Sequence, residues 1–264
     1  MITGLTNPQV KQVCAYVKKK KERDRDGVFV AEGERLVTEA PRERIVSLYV
    51  SASYRPEKSG DAERFLASCG SGVQRVSDEV FAKMSDTKTP QGILAVVKRA
   101  EAPREVPASG KGPLLVLESI QDPGNLGTIL RTAEAAGAAG ILLCAGTADV
   151  YQPKVVRASM GSIFRVPLLP QKKESGFEET AKVLREKGYR IVCADADGDT
   201  DYDKYDWKQK TALVIGNEAN GLSEEAAGGA DTLLRIPMEG KNESLNAAVA
   251  TAVLLFEAAR QLRN

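Results

Sequence analysis

Histidine is absent from this chain of 264 residues, and its absence excludes more chemistry than any other feature of the composition. Because histidine is the commonest general base and the commonest metal ligand, histidine-dependent catalytic triads and zinc proteases are excluded. The four cysteines, Cys14, Cys69, Cys144 and Cys193, are far apart and form no CxxC pair, so a zinc ribbon is excluded too. We therefore expect no metal and a reduced, intracellular setting.

Long apolar runs are also missing. The longest nearly apolar run, 247–256, is half of the ~20 residues that a membrane span requires. The first residues, MITGLTNPQVKQV, lack the apolar stretch of a secretory signal. The sequence therefore predicts a cytoplasmic protein that makes no use of a membrane.

Charge is nearly balanced, with 37 Lys and Arg against 36 Asp and Glu, but it is uneven along the chain. Residues 1–100 carry 18 basic and 13 acidic side chains, so the remainder has an excess of four acidic ones. The run 11–25, KQVCAYVKKKKERDR, has seven basic and two acidic residues, enough for a patch that attracts phosphate. Such a run is also typical of a solvated helix face.

Proline and glycine concentrate in RAEAPREVPASGKGP, residues 99–113, which predicts a linker. Before it, the short apolar runs FVAEG, VSLYVSA, GVQRVS and GILAVV alternate with helical spacing and predict a small α/β domain. After it, six apolar runs alternate with helical patterns, which indicates a mostly parallel sheet covered on both faces. We expect an α/β protein with domains over 1–100 and 113–264, and a linker over 101–112.

Ligands of such sheets bind beyond the carboxyl ends of the strands. No GxGxxG follows a strand and no GxxxxGK[ST] occurs, so neither a dinucleotide fold nor a P-loop is indicated. Three other polar segments do follow strands. They are ESIQDPGNLGTILRTAEAAG (118–137), VIGNEANGL (214–222) and RIPMEGKNESLNAAVA (235–250).

Each segment has both a structural and a functional interpretation. Asn125 reads as a helix N-cap and Arg131 as a solvated helix residue, yet an amide and a guanidinium six residues apart can meet one ligand. Gly216 allows close approach to the backbone, and Glu218 suits a hydroxyl or cationic group, although a polar turn explains both. Ser244 reads as the N-cap of a final helix running from Ser244 to Leu262, and Asn246 frames its start.

Taken together, NxxxxxR at 125–131, GNExxGL at 216–222 and IPMxGxxxSLN at 236–246 resemble the three signature motifs of the SpoU (TrmH-like) family of RNA ribose 2′-O-methyltransferases. The N-terminal stretches NPQVKQV, FVAEGERLV and TPQGILAVV resemble, more loosely, the substrate-binding domain of two-domain members.

This resemblance implies a C-terminal α/β domain with the trefoil knot of the SPOUT superfamily, plus a smaller N-terminal α/β domain like ribosomal protein L30e. It also implies S-adenosylmethionine as the cofactor, held mostly by main-chain groups. The corresponding positions here are Gly216, Ile236, Met238 and Leu245. Backbone recognition of this ligand fits the missing phosphate cradle, because the ligand has no phosphate.

The implied reaction is attack of a ribose 2′-oxygen on the sulfonium methyl. Family analogy nominates Arg131, assisted by Asn125, Glu218, Ser244 and Asn246. An arginine is a poor base, so we interpret Arg131 first as a clamp on a phosphate and on the developing alkoxide. The proton acceptor stays open between Glu218, the substrate phosphate and an Arg131 of lowered pKa.

The basic N-terminal domain is expected to grip RNA, because a catalytic domain with excess negative charge grips a polyanion poorly. The phosphate-contacting candidates are Lys18, Lys19, Lys20, Lys21, Arg23 and Arg25. The resemblance further implies a homodimer formed through the knotted domain, and the apolar surface of the final helix permits one.

We favour ribosomal RNA as the substrate. The alternatives are a ribose methyltransferase for transfer RNA and a non-catalytic knotted protein that binds RNA or assists assembly. A knotted enzyme that methylates a base nitrogen is disfavoured by the SLN segment, and a nicotinamide-dependent oxidoreductase by the missing glycine fingerprint.

Overall fold

The computed structural model describes residues 1–56, 60–103, 112–170, 176–241 and 244–263. Its contacts divide the chain into two compact units. The first unit comprises Met1–Ala100 and Asp149–Phe164, and the second comprises Glu101–Ala148 and Arg165–Asn264. Most of the expected linker, 104–111, lies outside the described residues, so the domain limits stay a prediction.

Helices and strands alternate along the whole chain. The helices are α1 (Pro8–Lys18), α2 (Lys20–Asp26), α3 (Glu34–Thr38), α4 (Asp61–Cys69), α5 (Asp78–Met84), α6 (Pro123–Ala136), α7 (Pro153–Ala158), α8 (Phe177–Glu186), α9 (Glu224–Gly228) and α10 (Ala247–Arg263). The strands are β1 (Val28–Glu32), β2 (Ile45–Ser51), β3 (Val73–Val76), β4 (Ile93–Lys98), β5 (Leu114–Leu117), β6 (Gly140–Leu143), β7 (Leu168–Pro170), β8 (Arg190–Ala194), β9 (Thr200–Asp201), β10 (Thr211–Ile215) and β11 (Thr232–Arg235).

The first unit contains a four-stranded sheet in the order β1-β4-β2-β3. Strand β4 pairs antiparallel with both β1 and β2, while β2 and β3 are parallel. Its four strands lie where the apolar runs predict them. Valines at 10, 13 and 17 of α1 pack against the buried side chains of α5 and the sheet. The prediction of a small N-terminal α/β domain is confirmed.

The second unit contains a seven-stranded sheet in the order β7-β6-β5-β10-β8-β11-β9, and every described pairing in it is parallel. Strands β5 and β10 are buried along their whole length because they lie inside the sheet and are covered on both faces. The predicted fold class, α/β with a mostly parallel sheet, is confirmed. The apolar run FRVPLL, residues 164–169, predicts a longer strand than the structure has, because β7 begins at Leu168 and Phe164 lies in a short 3-10 helix.

Two expected helix starts are wrong by a few residues. Helix α6 begins at Pro123, and its N-cap is Asp122, whose Oδ1 accepts a hydrogen bond from the Asn125 backbone N at 2.8 Å. Helix α10 begins at Ala247, and Asn246 rather than Ser244 caps it. Both candidate site asparagines therefore sit at helix starts, but only Asn246 is a cap.

No helix in the described part of the chain is both long and apolar enough to cross a membrane.

Arg23 departs from its expected role. Its side chain is only 5% exposed, and its guanidinium donates to the carbonyl oxygens of Tyr16 and Val17 at 2.6 and 3.2 Å. It also forms an ion pair with Asp149 of the same unit at 2.5 Å. The structure therefore does not expose Arg23 to RNA phosphates, because its guanidinium is buried and holds the end of α1.

This ion pair gives a stability prediction. Asp149→Asn removes the charge that compensates the buried Arg23, and we expect the free energy of unfolding to fall by about 2 kcal/mol. Urea denaturation measures the change. The control is Lys20→Met, which breaks a pair with Asp24 whose side chains are 61% and 42% exposed, and it should change stability by less than about 0.5 kcal/mol. Equal effects of the two substitutions would contradict the buried role.

Candidate active site

The three polar segments that follow strands meet in the second unit through a chain of hydrogen bonds. Asn246 Nδ2 donates to Asn125 Oδ1 at 2.9 Å, and Asn125 Nδ2 donates to Glu218 Oε1 at 3.1 Å. These three side chains come from the start of α10, the first turn of α6 and the loop after β10. We call them the site triad.

The orientation of both amides in the site triad is fixed by their partners. The Oδ1 of Asn246 accepts from the backbone N of Ala248 at 2.9 Å and of Val249 at 3.3 Å, so its Nδ2 must point away from the helix. Asn125 then has to accept with its oxygen and donate with its nitrogen. From the α10 backbone to the Glu218 carboxylate, the orientation of every hydrogen bond in this series is therefore fixed.

Glu218 is the last residue of this series of hydrogen bonds, and its carboxylate only accepts. Besides Asn125, its carboxylate accepts from the backbone N of Gln121 at 3.1 Å and of Asp122 at 3.0 Å. Partial burial acts to raise the pKa of Glu218, but the hydrogen bonds from Gln121, Asn125 and Asp122 outweigh it and lower the pKa below its ordinary value. A carboxylate held in this way is a weak base. Glu218 is therefore a weaker proton acceptor than an ordinary carboxylate, and its hydrogen bonds hold Asn125 and the backbone of Gln121 and Asp122.

The loop after β10 is closed by Asn217. Its Nδ2 donates to the Ser119 carbonyl oxygen at 2.7 Å, and its Oδ1 accepts from the backbone N of Ala219 and Asn220 at 2.9 and 3.0 Å. Backbone hydrogen bonds in both directions join Asn217 and Gly221. This side chain ties the loop that carries Glu218 to the end of β5.

Gly216 is required by the chain itself. A Cβ at this position would lie 2.4 Å from the Gly221 carbonyl oxygen and 2.6 Å from the Leu222 backbone N. The sequence pattern suggests that an approaching ligand requires this glycine. In the structure, the atoms nearest to Gly216 instead belong to Gly221 and Leu222 of the same loop. Gly216 also lines the adjacent pocket.

A pocket of about 370 Å³ lies beside this loop, at the carboxyl ends of β8, β10 and β11 and the start of α10. Its wall contains all four residues expected to hold the cofactor, together with two of the expected catalytic residues. These are Gly216, Ile236, Met238 and Leu245, with Glu218 and Ser244. No lysine or arginine is among the described residues that line it.

Arg131 lies apart from the site triad. It is exposed on α6, and no hydrogen bond or ion pair joins it to another described residue. Six residues along a helix separate it from Asn125 by about 9 Å of axial rise. The structure therefore leaves this guanidinium available to a ligand, and within the described residues no hydrogen bond or ion pair joins it to the other four expected catalytic residues.

The expected RNA-contacting cations lie in the first unit, and apart from the buried Arg23 they fall into two groups. Lys18, Lys19 and Lys21 are exposed and have no ion pair with any described residue. Lys20 pairs with Asp24 at 2.7 Å, and Arg25 binds Glu22 and Asp26. The hydrogen bond and charge of Asp26 raise the pKa of Arg25 above its ordinary value.

Three polar residues of the pocket wall, Asn217, Asn220 and Asp195, are not among the predicted site residues, and Asp195 is the charged one of the three. It follows β8 directly and lines the pocket with Ala194 and Ala196. The position of Asp195 could have indicated a site residue, because Asp195, like Glu218, comes shortly after a buried strand. The apolar run RIVCAD reads as a strand up to this residue, which hides the carboxylate.

Two family models match this chain. Residues 112–256 match the SpoU rRNA Methylase family, and residues 7–95 match the MRM3-like substrate binding domain. The first match covers the sheet of the second unit and the pocket. The second covers most of the four-stranded sheet of the first unit.

Named relatives match nearly the whole chain. The 23S rRNA (guanosine(2553)-2′-O)-methyltransferase RlmP of Bacillus subtilis is 33% identical, over 90% of this chain and 90% of its own. The 23S rRNA (guanosine-2′-O-)-methyltransferase RlmB of Shewanella oneidensis is 33% identical, over 88% of this chain and 95% of its own.

A solved structure is also similar over almost its full length. The SpoU methyltransferase AviRb from Streptomyces viridochromogenes, in complex with AdoMet, superimposes with a TM-score of 0.84 at 30% identity, covering 97% of this chain and 98% of that one. The resemblance that the three motifs indicate is confirmed along both units. The chain belongs to the SpoU rRNA Methylase family.

Proposed function

We propose that the site triad and its pocket transfer a methyl group from S-adenosylmethionine to a ribose 2′-hydroxyl of ribosomal RNA. The prediction of an S-adenosylmethionine-dependent RNA 2′-O-methyltransferase is confirmed by the family and by the relatives that act on 23S rRNA. The proposal includes a cytoplasmic location, where ribosomal RNA is available to a protein with four free cysteines.

One observation carries the assignment of the site: the hydrogen bonds from Asn246 to Asn125 and from Asn125 to Glu218. They place polar groups from three distant parts of the sequence beside a single pocket. A fold needs no such arrangement at the edge of a sheet, where water would satisfy each group separately.

The pocket fits the cofactor in both size and chemistry. Its volume of about 370 Å³ lies at the small end of the range for ligand pockets, and its wall is made of small, apolar and amide residues with two carboxylates. The lack of a basic side chain among its described residues suits a ligand without phosphate that carries a positive sulfur. Gly216, Ile236, Met238 and Leu245 would hold it largely through main-chain groups and apolar contact.

The cofactor supplies a methyl group on a sulfonium, whose sulfur departs as a neutral thioether. The task of the protein is to hold a hydroxyl that is almost fully protonated at pH 7 in line with that methyl and to help its proton leave. Arg131 binds the neighbouring phosphate and the developing alkoxide. Glu218 keeps Asn125 oriented, and the proton passes to one of the three acceptors that the sequence leaves open, namely Glu218, the substrate phosphate and Arg131.

In this proposal, the first unit binds the RNA. Lys18, Lys19 and Lys21 are exposed and form no ion pair within the described chain, so they are available to phosphates without any rearrangement. Such contacts position the RNA and carry no sequence information.

We also propose a homodimer formed through α10. Val249 and Phe256 are 50% and 47% exposed and stand seven residues apart, on one face of the helix. A partner copy covering this face would remove both side chains from water.

Arg131→Lys tests the planar guanidinium. Because lysine keeps the charge but lacks the two-pronged geometry, we expect the single-turnover rate at saturating cofactor to fall about 100-fold. Calorimetry should find cofactor binding unchanged. The matched control is Arg185→Lys, which alters an arginine paired with Asp231 elsewhere in the same unit and should leave the rate within about two-fold. A near wild-type rate for Arg131→Lys would contradict the clamp.

Replacing Lys18, Lys19 and Lys21 by Gln tests the RNA surface. We expect weaker RNA binding and a salt dependence whose logarithmic slope falls by roughly 0.7 to 0.9 for each phosphate that is no longer bound. The control replaces Lys182, Lys204 and Lys208, three exposed lysines of the second unit, and removes the same charge. If both triple variants change the slope equally, only net charge matters and the first unit has no dedicated RNA surface.

Phe256→Glu tests the dimer. A carboxylate in a buried helix interface is strongly unfavourable, so light scattering should find a dimer for the wild type and a monomer for this variant. Val183→Glu is the control, since Val183 is 39% exposed on α8 and lies on another helix of the same unit. A wild type that is monomeric at micromolar concentration would overturn the proposed dimer.

A further inference from the structure

The described wall of the pocket holds two carboxylates and no cation. Glu218 stands beyond β10 and Asp195 beyond β8, and these two strands are direct neighbours in the sheet. Glu218 is engaged by hydrogen bonds from Asn125 and from two backbone N–H groups. Asp195 has no part in the site triad, and the proposed reaction gives it no task.

Asp195 is held in place by its own loop. Its backbone N donates to the Leu234 carbonyl oxygen at 2.9 Å, and its Oδ1 accepts from the Asp197 backbone N at 2.9 Å. No ion pair joins Asp195 to another described residue. Asp201, farther along the chain, pairs with Arg235 at 2.7 Å. Asp195 is thus an uncompensated carboxylate of the pocket wall, whereas Arg235 of β11 neutralises Asp201 of β9.

An uncompensated carboxylate discriminates between ligands by charge. S-adenosylmethionine and its product S-adenosylhomocysteine share the nucleoside and the amino acid, and they differ by one methyl and one positive charge on sulfur. A unit charge about 6 Å from a carboxylate, at a dielectric between those of protein and water, gains about 10-fold in affinity. The neutral thioether gains nothing from the same carboxylate.

We propose that Asp195 is a specificity-determining residue that makes the pocket prefer the charged cofactor to the neutral product. This inference rests on the proposed function, because it presumes that the pocket is the cofactor site. The preference keeps the product from occupying the pocket after each methyl transfer.

The same charge has a kinetic consequence. Positive charge leaves the sulfur as the methyl is transferred, so Asp195 stabilises the bound cofactor more than the transition state. Removing its charge should therefore raise the KM for S-adenosylmethionine. The single-turnover rate at saturation should stay level or rise. A residue needed only for the fold would lower both affinity and rate.

The decisive experiment is calorimetry of Asp195→Asn with both ligands. Asparagine can still accept the hydrogen bond from the Asp197 backbone N, so the loop is retained. We expect S-adenosylmethionine to bind about 10-fold more weakly and S-adenosylhomocysteine to bind within about two-fold of the wild type. Asp197→Asn, which removes an exposed carboxylate outside the pocket wall, is the matched control and should leave the ratio of the two affinities within about two-fold.

Three outcomes separate the possibilities. Equal weakening of both ligands by Asp195→Asn would overturn the inference, because it would mean that Asp195 binds a group that both ligands share. A wild type that binds neither ligand would overturn the proposed function itself. If Asp195→Asn fails to fold, the wild type alone decides: raising the salt concentration should reduce its preference for S-adenosylmethionine, and an unchanged preference would sink the inference.

Discussion

The hydrogen bonds through Asn125 are the constraint on which the rest of the site depends. One amide has to accept from Asn246 and donate to Glu218 at the same time, so a carboxylate of similar size cannot replace it without leaving one neighbour unpaired. Because Asn246 also caps α10, and the Glu218 loop is bound to the end of β5 through Asn217, a change in any one segment moves the other two. Polar contacts therefore join the three loops beside the pocket, above the apolar core that the strands form.

This arrangement explains how a protein without histidine carries out chemistry that requires a proton to leave. The one carboxylate of the site triad accepts three hydrogen bonds, which lower its pKa and make it a weaker proton acceptor than an ordinary carboxylate. In the proposed function, the exposed Arg131 acts on the substrate. The protein supplies geometry and charge, while the driving force lies in the sulfonium that the cofactor brings. In such a mechanism, the rate depends strongly on the orientation of the substrate hydroxyl.

Most of the fold could be predicted from the sequence because buried parallel strands are apolar throughout and easy to recognise. The three polar segments of the site stand out because each comes directly after such a strand.

Local patterns did not identify the correct helix N-cap where two neighbouring residues suit that position equally well. Asp122 and Asn125 both suit an N-cap, as do Ser244 and Asn246, and the choice depends on partners nearly a hundred residues or more away. The burial of Arg23 could not be predicted for a related reason, because its partner Asp149 lies 126 positions away along the chain. The knot comes from the resemblance alone, since ordinary connection rules disfavour it.

The composition of the pocket wall offers a reason for the uneven distribution of charge along the chain. An arginine or lysine in its wall would repel a sulfonium and would attract the phosphates of the substrate into the space that the cofactor occupies. The chain instead carries its excess of basic residues in the first hundred positions, and the described pocket wall contains acidic, amide and apolar side chains. In the proposed function, RNA and cofactor are both recognised through charge, but with opposite signs. Keeping the two sets of charges on separate parts of the chain lets one protein bind a polyanion and a cation without either displacing the other.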